Sequence, residues 1–310
     1  MTPAQNHISV TLPIGQAIDR AKRMLFQPFD LGKWITIGFC AWLACLGQGG
    51  FHGSYNYNFG QRHGGGADEL RRWVERTQHY VVHNLVWILP LAATLLVVGI
   101  SVWVLVVWLS SRGRFMFLHC VALDKAEVAV PWRKFVREAN SLFWFRLGLG
   151  LASLAGCGPL LAVMALTGWR MLDHGEADAS GIIILAGTGV MLVLIGVVFA
   201  AIGKLTTDFV VPIMFWRRGG CLPSWGVLLH LLAGNPGHFL LYLLFQIILA
   251  LAIFVLVLTA VLLTCCILGC LLAIPFLGTV LLLPILVFQR SYSLYYLAQY
   301  GEEYDLFRVD

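Results

Sequence analysis

From Phe239 to Phe288 the chain runs for about fifty residues without a charged side chain. At 1.5 Å per residue, one helix over that stretch would reach roughly 75 Å, against a hydrocarbon core of ~30 Å. The run must therefore fold back. Its midpoint lies near Leu263, beside Thr264-Cys265-Cys266-Ile267-Leu268-Gly269-Cys270, and a tight hairpin is predicted there. Four more apolar runs precede it: Trp34 to Gly50, Val81 to Ser111, Leu142 to Trp169 and Gly181 to Gly203. The first is near the lower limit of ~17 residues for a span. About 33 residues come before it, more than the short basic leader of a signal peptide, so it reads as an uncleaved helix. Together these runs predict an all-α, polytopic transmembrane helical bundle of six spans, in a single integral membrane domain covering residues 1–310.

Three shorter stretches carry helical spacing instead of continuous apolar character. Ile14, Ala17, Ile18 and Ala21 recur at i, i+3, i+4 and i+7, with Asp19, Arg20, Lys22 and Arg23 between them. Trp132, Phe135, Val136 and Ala139 repeat that spacing before the third span, and Trp225, Leu228, Leu229 and Leu232 before the fifth. Pro13, Pro131 and the Pro223-Ser224 pair stand where helices start, and Asn140 and Asn235 close the second and third copies. The even spans also end alike, at Ser110-Ser111-Arg112-Gly113-Arg114, Thr206-Thr207-Asp208-Phe209 and Arg290-Ser291-Tyr292-Ser293. The reading is three repeats of an interfacial amphipathic helix plus a transmembrane hairpin, over about 13–118, 131–216 and 223–300. Each short helix is expected to lie on the inner leaflet, apolar face toward lipid and Lys/Arg toward anionic headgroups. An external loop with a helix, about 50–80, interrupts the first repeat, and 301–310 form a tail.

Composition agrees with the pattern. Hydrophobic residues make up 59% and charged residues 12% of the 310 positions, and the mean hydropathy is +0.81. That excludes a soluble enzyme, a disordered chain and a nucleic-acid binder. The net charge of +5 is uneven: sixteen Lys and Arg fall on the side of the termini and five on the other. The positive-inside rule places both termini in the cytoplasm.

Chemistry is sparse. His79 and His83 stand four apart, a two-ligand metal face with no third ligand at a recognised spacing. Cys265, Cys266 and Cys270 crowd the hairpin, where a disulfide within the turn or to Cys45 is one reading. Lys204 and Asp208 stand at i and i+4 near the inner end of span four, with Arg114 and Arg290 at similar places on spans two and six. A structural charge cluster pairing Asp208 with one of these arginines is expected. Glycines of span three (Gly148, Gly150, Gly156, Gly158) and span four (Gly187, Gly189, Gly196) offer packing faces. Span centres lack ionisable groups, Gln246 being among the few strongly polar residues at depth. No catalytic or cofactor-binding motif is present.

The run Pro28-Phe29-Asp30-Leu31-Gly32-Lys33-Trp34, continuing Gly38-Phe39-Cys40-Ala41-Trp42-Leu43, resembles uncharacterised bacterial six-span membrane proteins. The tail Phe288-Gln289-Arg290-Ser291-Tyr292-Ser293-Leu294-Tyr295-Tyr296-Leu297 is similar to the same group. That group distantly resembles the membrane domain attached to some glycerophosphoryl diester phosphodiesterases, whose catalytic barrel and metal-binding carboxylates are missing here. The resemblance implies an anchor or partner domain in a bacterial inner membrane. The leading expectation is a non-enzymatic accessory, scaffold or lipid-interacting protein. Its partners would be membrane lipids, including anionic headgroups of the cytoplasmic leaflet, and another membrane protein or a second copy. No nucleic acid, metal or cofactor is expected. The competing expectation is a transporter or channel for an amphipathic or lipid-like substrate, along those glycines and the prolines of span six, Pro275 and Pro284. A lipid-modifying enzyme using His79 and His83 stands third.

Overall fold

A computed structural model describes residues 8–46, 83–174, 179–264 and 267–308, and no strand occurs among them. The helices are α1 (Leu12–Phe26), α2 (Leu31–Cys45), α3 (Leu85–Leu123), α4 (Ala129–Lys134), α5 (Val136–His174), α6 (Ala179–Leu205), α7 (Val211–Arg217), α8 (Cys221–Gly234), α9 (Pro236–Leu263), α10 (Ile267–Ala273), α11 (Pro275–Leu281) and α12 (Leu283–Ala298). A π-helical turn, Thr206–Val210, joins α6 to α7. Local chemistry explains several boundaries. Pro13 sits at the head of α1, the Asp30 side chain caps α2 by accepting from the Gly32 N–H at 2.8 Å, and Asn235 separates α8 from α9.

Among the described residues four helical stretches are long and apolar enough to cross a membrane: Val86–Leu123, Val136–Met171, Ala179–Arg217 and Pro236–Leu263. A fifth exists if α11 and α12, bent by 64°, count as one broken span. The all-α, polytopic bundle stands, with four or five spans among the described residues where six were expected. The first expected span, α2, has 15 helical residues, about 22 Å, too short for a ~30 Å core. The last is broken because Pro275 and Pro284 each begin a new helix, leaving α10, α11 and α12 in place of one rod. The hairpin itself falls where the length argument puts it. Helix α9 ends at Leu263, and a Cβ on Gly269 would stand 3.3 Å from Val261 Cγ1. Residues 47–82, which include the expected external loop helix and His79, lie outside the described residues, as do Cys265 and Cys266.

The chain divides into two compact units. The first comprises Met1–Gly53, Val106–Arg146 and Ala201–Asp310 and holds nearly all of the buried core. In it α1 packs on α12: Tyr292 donates to the Val10 carbonyl at 2.9 Å, the Ser9 N–H donates to Gln299 Oε1 at 2.8 Å, and Gln299 Nε2 returns a bond to the Ser9 carbonyl at 3.0 Å. Helix α2 packs on α11, where Trp34 Nε1 donates to the Val280 carbonyl at 2.9 Å and Trp42 meets Phe276 edge-on. Rings of Phe115, Phe135 and Phe215 stack in series, and the Arg218 guanidinium lies 4.2 Å over Phe135.

The three amphipathic stripes are corrected by this core. Ala17 and Ala21, Phe135 and Ala139, and Leu228 are all buried in the protein, although Ile18 and Leu229 remain exposed. The stripes therefore serve first as core faces rather than as faces toward lipid. The second copy is not a separate helix either, because Val136, Ala139 and Asn140 belong to the first turns of the long helix α5. The apolar spacing is real in each case. It cannot by itself distinguish a lipid partner from a protein one.

The second unit comprises Ser54–Leu105 and Leu147–Ala200, the remaining parts of α3, α5 and α6. Its large apolar side chains are mostly exposed: Leu95, Leu96 and Val97 on α3, Leu151, Leu154 and Leu166 on α5, Val193 and Leu194 on α6. The glycine packing faces are largely absent. A Cβ on Gly150 would stand 3.3 Å from Trp103 and one on Gly156 3.9 Å from Ile195, but Gly148, Gly158, Gly187, Gly189 and Gly196 face open space.

Candidate functional site

The site is built around one proline. Pro212 has no N–H, so the helix leading into it cannot close its regular ladder. The Val211 N–H reaches back to the Thr206 carbonyl in a π turn, and no backbone donor remains for the carbonyl of Thr207. Arg290, on α12, donates through Nη1 to that carbonyl. The Thr207 hydroxyl donates to the Gly203 carbonyl at 2.9 Å and accepts from Arg114 Nη1, on α3, at 2.8 Å. One threonine thus gathers arginines from two other helices.

Asp208, one residue on, is almost wholly buried, as are Arg114 and Arg290. It accepts from the Tyr242 hydroxyl at 2.9 Å and pairs with Lys204 Nζ at 3.0 Å. Gln246 Nε2 donates to the Tyr242 oxygen at 2.9 Å, which explains the one strongly polar residue in this part of α9. Tyr242 is fully buried against Phe209, Tyr292 and Tyr296. Arg146, half-buried on α5, donates through Nη1 to Ser110 Oγ at 3.1 Å and Ser111 Oγ at 3.2 Å, one turn before Arg114 on α3. The Ser110 hydroxyl in turn donates to the Ala44 carbonyl at 3.0 Å, tying in the end of α2.

The charge balance is uneven. Arg146 and Arg290 both repel Arg114, and Asp208 attracts it. Two guanidinium atoms, Arg114 Nε and Arg290 Nη2, are enclosed without a hydrogen-bond partner. A further cation, Arg112, lies between the rings of Trp108 and Trp132 at 4.4 and 4.8 Å.

Of the residues singled out in the sequence, Lys204, Asp208, Arg114 and Arg290 meet in this cluster. The expected ion pair is different: Asp208 takes Lys204 and Tyr242, and the arginines take Thr207. Arg146, Thr207 and Tyr242 belong to the cluster and were not singled out. A signal existed in the Thr-Thr-Asp placed just before Pro212, because a proline there frees carbonyls for long-range donors. The disulfide reading is corrected for its two described members: Cys45 and Cys270 are free thiols, the first packed near Arg114 and the second exposed. His83 is exposed at the start of α3, and no group of three or more metal-binding side chains occurs among the described residues.

No curated protein and no solved structure matches the chain, so the phosphodiesterase-linked resemblance gains nothing from them. One family model does match, over residues 9–283, which takes in every helix that contributes to the cluster up to the first residue of α12. The chain therefore belongs to that family, described as Family of unknown function (DUF7544).

Proposed function

We propose that the chain is a non-enzymatic integral membrane protein of accessory or scaffold type, whose long helices are covered by lipid. One observation carries this reading. No more than 11% of the most apolar stretch of any of the four long helices is buried within the chain. In water such surface would be driven to collapse at ~25 cal/mol per Å², whereas lipid covers it without that drive. Exposed tryptophans support the assignment. Trp144 and Trp169 bracket the bare part of α5, 25 residues apart, about 38 Å, between the ~30 Å hydrocarbon core and the ~40–45 Å bilayer with headgroups. The mutual hydrogen bonds of Ser9 and Gln299 favour both termini on one side, which the Lys and Arg distribution makes the cytoplasmic one.

The transport reading is favoured by one feature, the 64° break between α11 and α12. Against it, α11 is closely packed: a Cβ on Gly38 of α2 would stand 2.7 Å from Val280 Cγ2. Two measurements test the proposal. The full chain should resist carbonate extraction from membranes and yield only to detergent. Purified and reconstituted in liposomes, it should leave trapped amino acids, sugars, ions and fluorescent lipids where they are. Release by carbonate removes the membrane assignment, and flux of any one solute replaces the scaffold with a transporter.

A further inference from the structure

We infer that the cluster around Thr207 is a binding site for a phosphate-type oxyanion, carried by a lipid headgroup or free in solution. Four cations, Arg114, Arg146, Arg290 and Lys204, gather there with a single carboxylate, Asp208. That carboxylate is already engaged by Lys204 and Tyr242. For Arg114 and Arg290 the chain supplies the two oxygens of Thr207, and Arg114 Nε and Arg290 Nη2 are enclosed with no acceptor.

A guanidinium N–H removed from water without an acceptor is costly, and three guanidiniums with no carboxylate of their own add mutual repulsion. Water molecules would answer the first cost and leave the second. A tetrahedral oxyanion answers both, because it brings negative charge and several oxygens to donors whose planar forks match it. Arg146 is the entry side. It is half-buried and stands two residues after the exposed Trp144, the position on α5 where an interfacial tryptophan would meet the headgroup layer. The lipid-contacting reading above is needed only if the phosphate belongs to a lipid.

The test uses the full chain in dodecyl maltoside, a detergent without phosphate. Thermal unfolding is followed with inorganic phosphate in one arm and with phosphatidylglycerol added to the micelles in the other, chloride serving as the ionic-strength control. The midpoint should rise in one or both arms. A rise with phosphatidylglycerol alone assigns the phosphate to a lipid headgroup; a rise with inorganic phosphate shows that the free ion suffices. Arg146→Gln removes a repulsion together with the bonds to Ser110 and Ser111, so its own midpoint without added anion is the baseline against which its response to each probe is read. Its affinity for the active probe should fall by about 10- to 100-fold. Arg290→Gln should lose the response as well, and if it does not fold, Arg146→Gln decides. No response of the wild type to either probe, or a full response in Arg146→Gln, overturns the assignment. Neither result touches the extraction and flux measurements that test the membrane role.

Discussion

Leu118 and Leu194 are the same side chain in the same kind of backbone, yet Leu118 is wholly buried by the chain and Leu194 is 57% exposed. The first lies in the unit that holds the aromatic core, the second in the unit made of bare helix segments. In the first unit buried hydroxyls reach partners on other segments of the chain: Tyr242 to Asp208, Tyr292 to the Val10 carbonyl, Tyr296 to the His238 carbonyl. In the second, Thr94, Ser101 and Thr188 turn their hydroxyls back onto carbonyls of their own helix. That is how a hydroxyl satisfies itself when no neighbour is available. The contrast separates two uses of hydrophobicity, cohesion inside a packed core and solubility in an apolar solvent. Only the first makes stability depend on the fit of particular side chains.

The contrast can be broken most forcefully at Asp208. Asp208→Ala removes the one carboxylate among four cations and leaves the buried Tyr242 hydroxyl without its charged acceptor, a fault of about 1.5–3 kcal/mol, to which the 40% exposed Lys204 adds little because water screens it. Thr188→Ala in the bare unit removes a hydroxyl bonded only within its own helix and should change stability by less than about 0.5 kcal/mol. Unfolding in mixed micelles, followed by circular dichroism against denaturant, measures both. Equal effects would erase the distinction between the units.

Glycines sharpen the same comparison. Gly113 lies where α3 meets the end of α2, and a Cβ there would stand 2.4 Å from the Leu43 carbonyl carbon and 2.5 Å from the Ala44 nitrogen. Both are backbone atoms and cannot swing aside, so Gly113→Ala should cost about 1–3 kcal/mol. Gly189 has nothing within 4 Å of such a Cβ, and Gly189→Ala should be neutral or stabilising by up to about 1 kcal/mol through helix propensity. The same assay reports both, and a cost at Gly189 would mean that another helix covers it in the membrane.

How much of this was legible in the sequence follows from which partner each residue has. The charge-free run and its turn at Leu263 were readable because length against bilayer thickness is a local argument. The stripes of α1 and α8 were readable as amphipathic spacing, but their cover was not, since Ala17 answers to α12, more than 260 residues away in sequence. The overrun of α3 to Leu123 and the early start of α5 at Val136 were missed because hydropathy marks where a helix is apolar, not where it ends. At the cluster the charged members were visible as rare charges beside spans. Thr207 was legible only as part of the Thr-Thr-Asp run upstream of Pro212, because the arginines that its hydroxyl and carbonyl take come from α3 and α12, 93 and 83 residues away.

The smallest effect concerns Cys221, at the start of α8, which is 1% exposed. Burial pushes its thiol up to about 12, because the thiolate cannot be solvated there. In micelles at about pH 8, N-ethylmaleimide should label the exposed Cys270 and leave Cys221 untouched until the protein is unfolded, as peptide mass spectrometry would read directly. The pH dependence follows with a fixed sign. The folded chain holds this proton more tightly than the unfolded one, so the thiol's contribution is complete below its ordinary value of 9.0 and is lost as pH rises toward about 12. Within that window the loss cannot exceed about 1.4 kcal/mol per pH unit, and it should vanish in Cys221→Ala. Labelling of Cys221 at the rate of Cys270, or an identical alkaline slope in Cys221→Ala, would place α8 among the loosely covered helices rather than in the core.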